Sequence, residues 1–211
     1  MKVCEIFTSL QGESSYAGLP CTFIRVSGCN LRCVYCDTQY SYEEGSEMPI
    51  DEIRGRVRSA GVRLVEITGG EPLLQKDTPL LVRGLLDEGR TVLIETNGSV
   101  SIEDIDRRAV VILDVKTPGS GMGGKTDLAN FDLIKPTDEI KFVICGREDY
   151  EWAKEILSRY GLTEKARILF SAAIGMLAPS DLARWIIDDR LDVRLNVQIH
   201  KFIFGPDERM V

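Results

Sequence analysis

Three cysteines crowd into eight residues, in the run Gly28-Cys29-Asn30-Leu31-Arg32-Cys33-Val34-Tyr35-Cys36-Asp37. Clustered thiols in a chain of this kind read as metal ligands. Their spacing is Cys-x3-Cys-x2-Cys. Structural zinc generally takes four protein ligands, typically as two separated Cys-x2-Cys pairs, and no second pair exists here. Electron-transfer ferredoxins supply four cysteines to a [4Fe–4S] cubane. Three thiolates on one short loop leave one iron of such a cubane without a protein ligand, and a bidentate small molecule can occupy it. A zinc site completed by Cys4, Cys21 or Cys145 stays open as an alternative. Those three cysteines, scattered along the chain, have a simpler reading as small buried hydrophobes.

Composition narrows the classes the chain can serve. It has 211 residues, enough for one well-buried core and short for two. Hydrophobic residues make up 44% and charged residues 28%, as in an ordinary globular domain. Net charge is −7 with the two signs interleaved, so no basic face is available to capture nucleic acid and a small-molecule substrate is the better expectation. No apolar run approaches the ~20 residues of a membrane span. Met1-Lys2-Val3-Cys4-Glu5 reads as a strand rather than as the apolar core of a signal peptide. Clustered rather than framework-spaced cysteines agree, and the expectation is a reducing, cytoplasmic location.

The elements that must hold the cysteine loop alternate between strand and helix. Strand patterns cover residues 3–8, 22–26, 64–67, 92–95, 110–115, 140–144, 167–170 and 195–199, most of them rich in Val, Ile or Phe. Asp77-Thr78-Pro79 opens a helix, with Pro79 in its first turn and Gly89 past its end. Ser101 with Asp104 matches a capping box. Residues 148–160 place Trp152, Ile156, Leu157 and Tyr160 on one helical face, and Ser180 caps a helix carrying Leu182, Trp185 and Ile186. The order predicts an α/β fold with mostly parallel strands and helices outside the sheet, in a single domain over 1–211. Residues 117–135 hold Pro118, Gly119, Gly121, Gly123 and Gly124 where a helix is due, and irregular loops of that length are often functional.

Polar and glycine-rich motifs sit just after the strands. Gly28-Cys29, Thr68-Gly69-Gly70-Glu71-Pro72, Glu95-Thr96-Asn97-Gly98, Asp114-Val115-Lys116 and Gln198-Ile199-His200 occupy equivalent places. The carboxyl ends of parallel strands form the active-site face of such folds, so these motifs should meet around one pocket.

The cysteine spacing resembles the radical S-adenosylmethionine (SAM) superfamily, in which SAM's amino and carboxylate groups bind the open iron. Gly69-Gly70-Glu71-Pro72 is similar to that superfamily's Gly-Gly-Glu motif, whose backbone and carboxylate receive the SAM amino group. Asp114 and Lys116 resemble a later strand-end motif that contacts SAM, and Glu95 and Asn97 would hold its ribose or methionine end. Ser9-Leu10-Gln11-Gly12-Glu13 and Cys36-Asp37-Thr38 narrow the resemblance to the 7-carboxy-7-deazaguanine synthase family. It runs from about residue 5 to residue 200 and is dense over 9–38 and 68–72.

That resemblance implies a trimmed, partial (β/α) barrel carrying a [4Fe–4S] cluster on Cys29, Cys33 and Cys36, with SAM and Mg²⁺. The implied activity is a lyase reaction, converting 6-carboxy-5,6,7,8-tetrahydropterin to 7-carboxy-7-deazaguanine with loss of ammonia, on the route to queuosine or archaeosine in tRNA. SAM serves there as a cofactor rather than a consumed reagent. Carried over by position, Leu10, Gln11, Gly12, Glu13, Arg25, Thr68 and His200 would meet the pterin, Gly70 the SAM, and Thr38 the Mg²⁺. Arg25 also stands out physically, because an arginine inside an apolar strand is costly unless it meets an anion; the substrate carboxylate is a suitable partner, and a salt bridge to a glutamate is the alternative. In some relatives the C-terminal residue itself reaches the substrate, which draws attention to Val211. The family is commonly homodimeric and takes its electron from a flavodoxin- or ferredoxin-type protein. Two other classes compete: an activase for a glycyl-radical enzyme, and a non-catalytic iron–sulfur electron carrier.

Overall fold

The computed structural model describes residues 1–205 and 208–210. Its strands form one open, nine-stranded sheet in the order β3-β1-β2-β4-β5-β6-β7-β8-β9. β1 (Lys2–Leu10) lies antiparallel between β2 (Pro20–Val26) and the short β3 (Ser46–Glu47). From β2 onward every pairing is parallel, through β4 (Leu64–Gly69), β5 (Thr91–Thr96), β6 (Val110–Val115), β7 (Glu139–Ile144), β8 (Arg167–Ala172) and β9 (Arg194–Leu195). This is the trimmed barrel expected from the sequence.

Parallel strands covered on both faces read as near-continuous apolar runs, and β6 is buried at every position. Alternation still sorts the two faces. Val65, Ile67, Val92, Ile94, Val111, Leu113, Ile140, Phe142, Ile168 and Phe170 face the helices in the main core. The opposite faces carry Phe23, Leu64, Leu93, Val110 and Ile112, a smaller apolar cluster that floors the concave side. Above that floor, nearer the carboxyl ends, the same rows turn polar.

The outer layer is built from α1 (Ile50–Ala60), α2 (Thr78–Asp87), α4 (Arg147–Tyr160) and α6 (Pro179–Asp188), with short α3 (Asn130–Leu133), α5 (Leu162–Lys165) and α7 (Ile199–Phe204). α1 escaped the sequence reading although its signals are present. Asp51 and Glu52 lie in the first turn, Arg58 in the last, and Gly61 takes a left-handed φ of 71° at the end.

Three local expectations are corrected. Residues 101–109 form turns, not a helix: Ser101 Oγ accepts the Glu103 N–H at 3.2 Å, a local bond that competes with helix formation. Ser180 does not cap α6; Pro179 sits in the first turn after Ala178, and Ser180 lies inside the helix. The strand expected over 195–199 stops at Leu195, and Ile199 begins α7. Residues 117–135 are mostly irregular, as expected, with a single turn of 3-10 helix at Pro118–Ser120 and the short α3.

Candidate active site

The carboxyl ends of the parallel strands enclose a cavity of about 250 Å³. Cys29, Cys33 and Cys36 all line it. Their loop is clamped from two sides. Gly28 N–H donates to Ser41 O at 2.9 Å and Val34 N–H to Ser120 O at 3.0 Å, so the irregular segment after β6 supports the cysteines. The Gly69-Gly70 turn docks on the other side, where Glu71 N–H donates to Gly28 O at 2.7 Å. A Cβ on Gly70 would overlap the Gly28 carbonyl, so only glycine permits this approach.

Hydrogen-bond donors point at the sulfurs. Leu31 N–H lies 3.4 Å and Asn97 Nδ2 3.7 Å from Cys29 Sγ, and the Thr38 hydroxyl lies 3.7 Å from Cys36 Sγ. Such donors stabilise thiolate charge and tune a cluster's potential. Three thiols at the rim of a cavity, two of them beside polar groups, fit an iron–sulfur cluster with one open iron. Among the described residues no group of three His, Cys, Asp or Glu side chains would hold a single metal ion. Cys4, Cys21 and Cys145 do not line the cavity, and Cys21 is 0% exposed, so the zinc alternative has no fourth ligand from them here.

Below the cysteines lies a buried layer of charge. Lys141 from β7, with its side chain 7% exposed, bonds to Glu13 at 3.1 Å and to Asp114 at 3.4 Å, and also to Glu95. Asp114 pairs in addition with Lys116 at 2.8 Å. Burial alone would neutralise both lysines, but Glu13, Glu95 and Asp114 around Lys141, and Asp114 with Tyr35 and Cys33 around Lys116, outweigh it and hold each ammonium above its ordinary pKa. Burial likewise opposes the Glu13 charge, yet Lys141 and Gln198 prevail and keep its carboxyl well below the usual range. Glu66 behaves in the opposite way: burial, then the nearby Glu95, push its carboxyl well above that range.

The substrate-side residues arrive from separate elements. Arg25 on β2 places Nε 2.7 Å from Glu5 Oε1, and Tyr40 OH donates to the same oxygen at 2.9 Å. Arg25 also lines the cavity, so its pairing with Glu5 leaves it on the pocket wall. Thr68 Oγ1 donates to Glu95 Oε2 at 3.3 Å. Ile199 N–H donates to Gly12 O at 2.9 Å, fastening α7 to the 10–13 loop. A Cβ on Gly12 would overlap the His200 ring, so the glycine lets the imidazole lie against the loop. Burial lowers the His200 pKa below its ordinary value, only partly countered by Glu13, which leaves the ring neutral at pH 7.

Of the site residues expected from sequence, Leu10, Gln11, Gly12, Glu13, Arg25, Thr38, Thr68, Gly69, Gly70, Glu95, Asn97, Asp114, Lys116 and His200 line this cavity with the three cysteines. Glu71, expected to receive a ligand amino group, does not line it. It is fully buried and accepts from Leu73 N–H at 2.9 Å, Thr96 Oγ1 at 2.8 Å and Asn97 N–H at 2.7 Å. It positions the strand-end turns from behind. His200 stands in the first turn of α7 rather than after a strand. Val211 lies outside the described residues. Sequence reasoning missed Glu66 and Lys141, which also line the cavity, as does Gln198 of the expected Gln198-Ile199-His200 motif. The signal for the first two was the one that marked Arg25: a charge on the inner face of an otherwise apolar strand.

A family model described as the radical SAM superfamily matches residues 23–162. A 7-carboxy-7-deazaguanine synthase from Koribacter versatilis is 45% identical over 100% of both chains. One from Chlorobaculum tepidum is 44% identical over 100% of this chain and 97% of its own. The crystal structure of QueE from Escherichia coli superposes with a TM-score of 0.77 at 25% identity, covering 93% of each chain.

Proposed function

Because the chain belongs to the radical SAM superfamily and, within it, to the 7-carboxy-7-deazaguanine synthases, we propose a division of labour among its pocket residues for that family's reaction. The reaction itself is the ring-contracting conversion of 6-carboxy-5,6,7,8-tetrahydropterin to 7-carboxy-7-deazaguanine with loss of ammonia, in 7-deazapurine biosynthesis. The activase and electron-carrier readings give way to it.

The observation that carries the assignment of roles is one cavity in which the three cysteines share walls with Gln11, Glu13, Arg25, Thr68 and His200. When bound, the cluster and SAM together supply a carbon-centred radical that removes one hydrogen atom from the substrate; the radical chemistry is the cofactor's. The protein's part is placement. Cys29, Cys33 and Cys36 hold the cluster. Gly70 and Asn97, beside the cysteine loop, and Asp114 and Lys116 at the end of β6 receive SAM, with Gly69 and Glu95 adjoining. Arg25 keeps Nε on Glu5, while its two terminal nitrogens have no hydrogen-bond partner among the described residues. They are free to take the pterin carboxylate in a charge-assisted pair. Leu10, Gln11, Gly12, Glu13, Thr68 and neutral His200 line the remaining wall and fix the ring's orientation.

Mg²⁺ would bind Thr38. Its hydroxyl lines the cavity and contacts only the Cys36 sulfur among the described residues. With one protein oxygen, the ion would draw its other ligands from water and substrate, as Mg²⁺ readily does. The homodimer, the flavodoxin- or ferredoxin-type reductant, the queuosine or archaeosine end point and the cytoplasmic location rest on the family resemblance. No described helix is long and apolar enough to cross a membrane.

The test is anaerobic reconstitution of the cluster, followed by incubation with SAM, reductant, Mg²⁺ and the carboxytetrahydropterin. Mass spectrometry should find 7-carboxy-7-deazaguanine and released ammonia. SAM cleavage without that product overturns the substrate assignment.

A further inference from the structure

Glu66 plays no part in the roles above. It stands on the inner face of β4, 4% exposed, on the cavity wall beside Phe23 and Ile112. Burial, with Glu95 and Glu13 nearby, disfavours its charge, and Lys141 only partly compensates. Lys141 is already bonded to Glu13, Glu95 and Asp114. These surroundings favour the carboxylic acid over the carboxylate.

Hydrogen bonds locate its proton. The backbone N–H of Glu13 donates to Gln11 Oε1 at 3.0 Å, which fixes the Gln11 amide and turns its Nε2 toward Glu66. That nitrogen donates to Glu66 Oε2. An oxygen receiving an amide N–H acts as the carbonyl end of the acid, so the hydroxyl is Oε1. Oε1 has no hydrogen-bond partner among the described residues, and Glu66 lines the cavity, so this oxygen is left open to a ligand atom.

We propose that Glu66 is a specificity-determining residue whose Oε1–H donates to an acceptor of the bound heterocycle, a carbonyl oxygen or an unprotonated ring nitrogen. The proposal rests on the pocket's assignment to a pterin. It follows that an analogue presenting N–H at that place meets a second donor and is rejected, because a buried donor left unpaired costs more than a contact merely missed.

The test compares Glu66→Leu and Glu66→Gln in the reconstituted full chain, with cluster absorbance as the measure of folding. Leucine removes the donor and should raise KM for the pterin about ten- to a hundredfold. Glutamine keeps a donor in the same place and should recover most of that loss. Independently, infrared difference spectra of the wild type at neutral pH should contain a protonated-carboxyl C=O band. That band should be missing in Glu66→Gln and should move to lower frequency when pterin is added. Glutamine as damaging as leucine, no such band, or a band unmoved by pterin overturns the proposal. Failure of the pterin reading has a different mark: the wild type cleaves SAM but makes no deazaguanine. Should the leucine variant not fold, the glutamine variant and the band decide alone.

Discussion

Arg25 shows how one side chain serves both structure and substrate. Its Nε is tied to Glu5, which Tyr40 and Arg209 also hold, the latter at 3.3 Å. Arg25→Met therefore leaves Glu5 with partners, and the cluster should still load. Pterin affinity should fall ten- to a hundredfold, because losing a charge-assisted hydrogen bond costs ~1.5–3 kcal/mol; equilibrium binding of the pterin reads this directly. Thr38→Val keeps the side chain's shape and removes its hydroxyl. Cluster absorbance and SAM binding should survive, while Mg²⁺ stimulation of turnover should be lost, since a methyl group offers a hard cation nothing. Among the cysteines, replacing Cys29, Cys33 or Cys36 by Ala should abolish the iron–sulfur absorbance and SAM cleavage together. Cys4→Ala and Cys145→Ala should keep both. Loss of the cluster in Cys145→Ala would mean a site with four cysteines.

At the scale of elements, two glycines set how closely loops approach each other, and their replacements should fail differently. A Cβ on Gly70 would meet the backbone carbonyl of Gly28, which belongs to the cysteine loop and cannot step aside alone. Gly70→Ala should lower the iron bound per chain after reconstitution. A Cβ on Gly12 would meet only the side chain of His200, at the start of α7. Gly12→Ala should load its cluster normally but turn the imidazole out of the pocket. KM for the pterin should rise roughly tenfold, the worth of one hydrogen bond. Equal cluster loss in both variants would show that α7 and the cysteine loop are not separately supported.

For the molecule as a whole, Lys141 joins three elements, bonding to Glu13 in the 10–13 loop, Glu95 on β5 and Asp114 on β6. Lys141→Met would strand these carboxylates in a buried layer, and removing one partner of a buried ion pair typically costs ~3–5 kcal/mol. Denaturant melts at pH 7 should show a loss of that order. The pH dependence has a definite sign. The folded Glu13 carboxyl is depressed to about 2, below its unfolded value. Its contribution is complete above the unfolded value of ~4.3 and is lost as pH falls toward the folded one. The gap between wild type and Lys141→Met should therefore narrow as pH drops through that window. Glu66 acts oppositely, since its raised carboxyl makes folding less favourable as pH climbs above ~4.3. Replacing Glu66 by Gln should flatten that part of the stability profile.

The sequence by itself determined what periodicity and local spacing can encode. Alternating elements and motifs after strands placed the pocket at the carboxyl ends of a parallel sheet. Beyond that, the family resemblance carried by the Cys-x3-Cys-x2-Cys loop implied the cofactor, and that carried by Ser9–Glu13 with Asp37-Thr38 narrowed the substrate. Only the tertiary structure decided which charges meet. Glu13 and Lys141 are 128 residues apart, and nothing local in either position states that one ammonium balances carboxylates from three elements. Glu71 belongs to a motif that resembles the superfamily's Gly-Gly-Glu, yet only the fold shows its carboxylate bonded to Thr96 and Asn97 behind the strand ends. α7 replaced an expected strand because its place depends on the bond from Ile199 N–H to Gly12, 187 residues earlier in the chain. Protonation is the furthest from the sequence of all. Glu13 and Glu66 are the same residue type, and their opposite states arise from distances to Lys141, Glu95 and Gln198 that exist only in the folded protein.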